Sequence, residues 1–257
     1  MGHLLDGGAS AELAACRRAG TLSNLPLHEI GSRAEAEVFQ EAAVRALGGE
    51  PCGYKIGATS LEVQRLLNFR EPNCAPILRE HVLASGATFR IPAGLLGLEC
   101  EFGFVMGRDF PTAADVQDLV GLRSAIAGCF VALEMVGRRV TPDIPLNEAS
   151  ATADFALAVA VVRGGPIPDW ERRDLAALPV RAVLDGVTVA HGTGAIVLGH
   201  PLNPLLWLAQ ALHKRGERLR GGEIILTGTC TGITKVARGQ VFAGCFGDLP
   251  PVECGFD

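Results

Sequence analysis

Aromatic residues are scarce in this chain. One tyrosine, two tryptophans and eleven phenylalanines make up 5% of 257 residues, which leaves little stacking surface for single-stranded nucleic acid. Positive charge is also in short supply. Lysine and arginine total 23 against 28 aspartates and glutamates, a formal net charge of −5, so bulk electrostatics offer a phosphate backbone no footing. No run approaches the roughly 20 apolar residues that cross a bilayer. The longest, Phe155 to Val162, has the length of a strand. Met1 to Ser10 lacks the basic start and apolar stretch of a signal peptide. The eight cysteines, at 16, 52, 74, 100, 129, 230, 245 and 254, show no CxxC or other metal-binding spacing. A G-x-S-x-G elbow, a Walker A loop and a dinucleotide fingerprint are missing as well. These absences exclude a nucleic-acid binder, a membrane protein and a zinc module. They predict a cytoplasmic protein whose cysteines are reduced and buried.

What is present is an apolar, strand-rich chain. Hydrophobic residues make 48% and charged ones 20%, enough to bury a sizeable core. The 32 glycines and 15 prolines are scattered, as turns rather than as a linker. Residues 8–48 read as helical. The second helix there starts at Ser32, with Glu35 placed for a capping box, and stops at Gly48-Gly49. Cys52–Ile56 reads as a strand and Ser60–Leu67 as a short helix opened by serine. From residue 80 onward strands dominate: 97–106, 129–136, 155–162, 180–184 with 187–190 across an Asp185-Gly186 hairpin, 223–227 and 240–246. Helices are expected at about 115–125 and 203–215, the latter capped by Asn203. The pattern predicts an α+β fold with a mostly antiparallel or mixed sheet, not a doubly wound one. Its parts would be a small, mainly helical N-terminal segment, 1–80, and a β-rich core, 81–257.

The informative stretch is Leu95–Met106, LLGLECEFGFVM. With the period of two of a strand, one face carries Leu96, Leu98, Cys100, Phe102, Phe104 and Met106. The other carries Glu99 and Glu101 between Gly97 and Gly103, which would leave open space above the carboxylates. Like charges about 7 Å apart repel unless a positive charge lies between them. A third glutamate, Glu134, interrupts the apolar run CFVALEMV (129–136). A carboxylate there must be paired, protonated or metal-bound. A buried ion pair with Lys55 or Arg138 and a shared metal site are both open readings. Three glutamates on two strands form a hard, oxygen-only donor set suited to Mg²⁺ or Mn²⁺ rather than zinc. The six histidines sit in unrelated contexts, and His81 reads as exposed.

Several segments, taken in order, carry a resemblance: AEVFQ (36–40), GYKIGATS (53–60), LECEFGFVMGRD (98–109), ALEMVGRRV (132–140), GAIVLGHPLNPLLWLAQALHKRG (194–216), LRGGEIILTGT (219–229) and VFAGCFGDLPPVECGF (241–256). The chain resembles the fumarylacetoacetase-like superfamily, in its 2-oxopent-4-enoate hydratase and 4-oxalocrotonate decarboxylase branch. The resemblance implies a mixed β-roll core. It implies a metal triad of Glu99, Glu101 and Glu134, an active-site lysine at Lys55, and Thr229 near the substrate carboxylate. Two segments depart from the family pattern. Pro72-Asn73-Cys74-Ala75 stands where the family has Pro-Asp-aromatic-Gly, and an amide cannot act as a carboxylate base. Asn147-Glu148-Ala149-Ser150 stands where it has Asp-Asn-Ala-Ser. Asn73 and Ser150 are then expected to contact substrate, and Glu148 to replace the missing carboxylate.

The activity so implied is that of a metal-dependent lyase acting on a small 2-oxo acid or its enol, first of all hydration of 2-hydroxypenta-2,4-dienoate. The backbone N–H groups around Thr227-Gly228-Thr229 would receive the substrate carboxylate. The alternatives are a 4-oxalocrotonate-type decarboxylase, an acylpyruvate hydrolase, for which no His–Glu pair is visible, and a degenerate homologue with a partner role. The family further implies a homo-oligomer and association with a pathway enzyme.

Overall fold

The structure, a computed structural model, describes residues 7–257; residues 1–6, part of the stretch inspected for a signal peptide, lie outside the described residues. Two helices open it, α1 (Gly7–Ala19) and α2 (Arg33–Leu47). Ser32 caps α2 by accepting from the Glu35 N–H at 3.2 Å, as its sequence predicts. Strand β1 (Pro51–Gly57) follows, then α3 (Leu61–Leu66), capped by Ser60. Next come β2 (Asn73–Leu78), β3 (Val82–Ala84), β4 (Ala87–Phe89), β5 (Leu95–Met106), α4 (Leu119–Ser124) and β6 (Ile126–Gly137). The remainder comprises α5 (Glu148–Ala153), β7 (Ala158–Pro166), β8 (Pro179–Leu184), β9 (Val187–Thr193), α6 (Leu202–Lys214), β10 (Ile224–Thr229), β11 (Val241–Phe246) and β12 (Val252–Phe256).

The strands form two mixed sheets, one of seven in the order β2-β1-β10-β5-β6-β7-β3 and one of five in the order β4-β12-β11-β8-β9. This is the mixed β-roll core of an α+β fold. The long pair β5–β6 is its spine, and its register sets Glu99 opposite Glu134. One face of β5 carries Leu98, Cys100, Phe102 and Phe104, all fully buried. Phe102 meets Phe246 of the second sheet edge-on at 5.3 Å, so the two sheets share one apolar layer. Burying each such side chain contributes about 1.5–3 kcal/mol. β1 and β2 are strands of the seven-stranded sheet, with β1 running parallel to β10. Among the described residues, no helix is long and apolar enough to cross a membrane, and all eight cysteines are free thiols.

Three local expectations are corrected. Phe155–Leu157 does not begin a strand. It is a short turn in which all three residues adopt left-handed backbone, with φ of 53°, 47° and 65°, and β7 starts only at Ala158. Asn203 lies inside α6 and Pro201 takes the cap position; the Asn203 amide donates instead to the Leu198 carbonyl at 2.7 Å. His81 is half-buried, with Nδ1 3.3 Å from the Arg17 guanidinium.

Candidate active site

The β5–β6 register brings Glu99, Glu101 and Glu134 to one corner of the sheet. Their carboxylate oxygens include a set lying within 4.8 Å of one another, and all three residues are buried. Burial and the neighbouring Glu134 carboxylate push the Glu99 carboxyl up to about 8 and the Glu101 carboxyl well above its usual range. One Glu101 oxygen accepts from the Gly228 N–H at 2.7 Å. Its other oxygen and both oxygens of Glu134 have no hydrogen-bond donor. Orphaned buried carboxylate oxygens are costly, and three of them in a hard, all-oxygen corner fit a small divalent cation.

Lys55 supplies the positive charge. It projects from β1, almost fully buried, with Nζ 3.1 Å from Glu134 Oε1. The contact is an ion pair, and the Nζ also donates to the Ala156 carbonyl at 2.8 Å. That carbonyl is presented by the left-handed turn at 155–157. Burial alone would lower the lysine's pKa, but the three carboxylates, Glu134 foremost, outweigh it and raise the pKa above its usual value. The lysine therefore holds its proton. Of the two partners expected for an ion pair of Glu134, Lys55 is the one present. Arg138 turns away and donates to the Ile144 carbonyl.

The open space lies elsewhere than the glycine pattern suggests. A Cβ on Gly97 would strike the Thr234 carbonyl, and one on Gly103 the Phe130 ring, so both gaps are filled by packing. The cavity opens beside Lys55 and Glu99 instead. Its volume is about 280 Å³, and its walls are mainly apolar, with Val63, Leu67, Phe69, Leu96 and Leu157 among them. Asn73 and Thr229 also line it. Asn73 is buried, and its amide donates to Thr152 Oγ1 at 3.3 Å. Gly57 keeps this corner open: a Cβ there would sit 2.6 Å from Asn73 Oδ1 and 3.3 Å from Lys55 Nζ.

Two expected residues are not brought to the cavity. The Ser150 hydroxyl is spent locally, receiving the Asn147 N–H at 2.9 Å within a capping box. Glu148 faces an outer groove and pairs with Arg33 at 3.3 Å. The helix cap of α5 explains both placements, because it turns Ser150 back onto its own first turn. The Gly228 N–H serves Glu101 rather than a free substrate carboxylate. Residues that the sequence reading missed are Gly57, Thr59, Ala156 and Leu157, which line the cavity. Only the GYKIGATS segment, which contains Gly57 and Thr59, carried a signal for any of them.

The model of the fumarylacetoacetate (FAA) hydrolase C-terminal family matches residues 60–254. A 2-keto-4-pentenoate hydratase of Paraburkholderia xenovorans is 34% identical over 200 residues, covering 77% of this chain and 72% of its own. The TodF product hydratase of Pseudomonas putida is 32% identical over 223 residues, covering 86% and 81%. Among solved structures, 4-oxalocrotonate decarboxylase from Pseudomonas putida G7, complexed with magnesium and adipate, superposes with a TM-score of 0.88 at 24% identity, over 99% of this chain and 97% of that one.

Proposed function

The chain belongs to the fumarylacetoacetate hydrolase family, in the branch of 2-oxopent-4-enoate hydratases and 4-oxalocrotonate decarboxylases, and from that premise we propose that it is a divalent-metal-dependent lyase acting on a small 2-oxo acid. The observation that carries this reading is the buried corner of Glu99, Glu101 and Glu134, where three oxygens lack donors, beside a protonated lysine; Glu99 and Lys55 join this corner to the apolar cavity they line. Those three glutamates would hold Mg²⁺ or Mn²⁺. Held by these residues, such an ion would supply Lewis acidity to a 2-oxo acid.

The protein's own groups do the rest. Lys55, charged and fixed between Glu134 and the Ala156 carbonyl, stabilises negative charge that develops on the substrate. Asn73 and Thr229 orient the polar end by hydrogen bonds. The apolar wall of Val63, Leu67, Phe69 and Leu157 receives the carbon chain and keeps water out.

Within this class, the wall favours loss of carbon dioxide over addition of water. Water addition needs a base, and the cavity lining provides none beyond Glu99, which is committed to the cation corner, and Lys55, which holds its proton. Asn73 occupies the position where a family aspartate would stand. Decarboxylation needs only an electron sink and a leaving carboxylate in apolar surroundings, where the charged form is disfavoured relative to neutral carbon dioxide. Hydration is the second reading, and the names of the relatives at 34% and 32% identity favour it. The test is to give the magnesium-loaded protein freshly made 4-oxalocrotonate and, separately, 2-hydroxypenta-2,4-dienoate. Carbon dioxide release from the first alone supports decarboxylation. Formation of 4-hydroxy-2-oxopentanoate from the second supports hydration and would show that the protein activates water without the aspartate. Turnover of neither substrate, with metal bound, would sink the lyase reading.

A further inference from the structure

A second cavity, of about 320 Å³, opens where the end of α1 meets the segment before β5 and the end of β6. Its chemistry is opposite to that of the first. Five arginines, Arg17, Arg18, Arg90, Arg138 and Arg139, together with His81, line it, and no aspartate or glutamate does. In a chain with a net charge of −5, that concentration of guanidinium groups is local and not a reflection of composition.

Among the described residues, Arg139 alone of the five has a carboxylate within ion-pair distance, in a buried pair with Asp154 at 2.6 Å. Arg18 donates to the Ala46 and Leu47 carbonyls, and Arg138 to that of Ile144. Among the described residues, none of Arg17, Arg18, Arg90 and Arg138 lies within ion-pair distance of a carboxylate. Arg17 is the most telling. Its guanidinium packs 4.5 Å over the Phe155 ring, its Nη2 has only long contacts to His81 and the Val159 carbonyl, and its enclosed Nε has no acceptor at all. Burial and the neighbouring Arg139 charge weaken its hold on its proton, to a pKa of about 9, even though Asp154, Glu80 and Glu134 act from farther off to raise it. A half-buried guanidinium with an enclosed, unpaired N–H and no carboxylate within ion-pair distance is left with unfilled donor capacity. Guanidinium forks match the paired oxygens of carboxylates and phosphates.

We propose that this cavity is a binding site for a small oxyanion carrying two or more charges, either a dicarboxylate or a phosphate, held by Arg17 with Arg90 and Arg138 at its mouth. The site is separate from the lyase cavity. Arg17 stands between the two, because it and His81 also border a narrow void whose far wall is Lys55 and Glu134.

Isothermal titration of the magnesium-loaded protein in low-salt buffer, once with inorganic phosphate and once with succinate, tests the proposal. Saturable binding of one anion per chain is expected, weakening as salt is added. The anion that binds more tightly identifies the source as phosphate or carboxylate. Arg17→Gln and Arg90→Gln should each weaken binding at least tenfold, whereas Glu99→Gln, at the other cavity, should leave it unchanged. Arg90 is exposed, so its variant decides the matter even if Arg17→Gln fails to fold. Absence of saturable binding by both anions overturns the proposal. So does binding that Glu99→Gln abolishes and Arg90→Gln leaves intact, which would place the anion in the lyase cavity.

Discussion

Two buried ion pairs, Arg139–Asp154 and Lys55–Glu134, differ in how completely their valences are filled. Arg139 and Asp154 are both nearly inaccessible, with Nε 2.6 Å from Oδ1. The second Asp154 oxygen accepts from the Arg139 N–H at 2.8 Å, and Arg139 Nη1 reaches the Ala158 carbonyl at 2.8 Å. Lys55 and Glu134 are equally buried at 3.1 Å, yet both Glu134 oxygens lack a hydrogen-bond donor and two further carboxylates crowd beside them. Burial alone does not separate a structural pair from a reactive one. Unfilled valence does. The saturated pair locks the end of β6 to the turn before β7, and the unsaturated pair keeps room for a cation.

The sharpest way to break this contrast is Glu101→Gln. Removing one of the three hard donors should cut turnover at least ten-thousandfold, about 5.5 kcal/mol of barrier, and abolish tight magnesium binding by calorimetry. The metal-free protein should unfold at nearly the same temperature, since the Glu101 carboxyl, pushed toward its protonated form, is replaced by a neutral amide of the same shape. A variant that keeps its metal and its rate would dissolve the distinction. Asp154→Asn should act the other way. Leaving Arg139 buried without its charge should cost about 4 kcal/mol in urea unfolding, while the folded fraction still takes up one magnesium per chain.

A smaller change sharpens the comparison at the cavity. Gly57→Ala puts a methyl 2.6 Å from Asn73 Oδ1, so kcat/KM should fall about tenfold, roughly 1.4 kcal/mol, with magnesium affinity unaltered. A loss of metal instead would mean that Lys55, not Asn73, had moved. The smallest effect is in pH. In the metal-free protein the Glu99 carboxyl stays protonated up to about 8, whereas in the unfolded chain it ionises near its ordinary 4.5. The folded form thus holds a proton that the unfolded form releases, and stability falls as pH rises between those values. The melting temperature should drop by a few degrees from pH 5 to pH 8, and magnesium should reverse the drop, because binding displaces the proton. A metal-free melting temperature that rises over this range would show that the carboxylates ionise freely.

Much of this could be read from residue order. The alternation in LLGLECEFGFVM placed Glu99 and Glu101 on one face, the apolar run around Glu134 marked a carboxylate needing a partner, and Ser32 and Ser60 marked helix starts where the caps lie. Period and capping are local properties, so local sequence reveals them. The turn at Phe155–Leu157 was not legible, because an apolar FAL can be strand or left-handed turn and only the surrounding packing selects. The short strands β3, β4 and β12 carry too few residues to show a period. The positions of Ser150 and Glu148 followed a capping box that the family-like segment concealed. Arg17 lies in an alanine-rich helix that reads as amphipathic and unremarked, and its value emerges only when four separate segments close around it.

The parallel pairing of β1 with β10 has a consequence for the order in which the protein assembles. Glu99, Glu101 and Glu134 come from consecutive antiparallel strands, whereas Lys55 reaches its place only when Tyr54 and Lys55 dock beside Ile225 and Leu226. Loop closure over so long a stretch is slow compared with pairing of successive strands. The three acids therefore meet before the ammonium that offsets them, and in that interval their mutual repulsion is relieved only by taking up protons or a cation from solution.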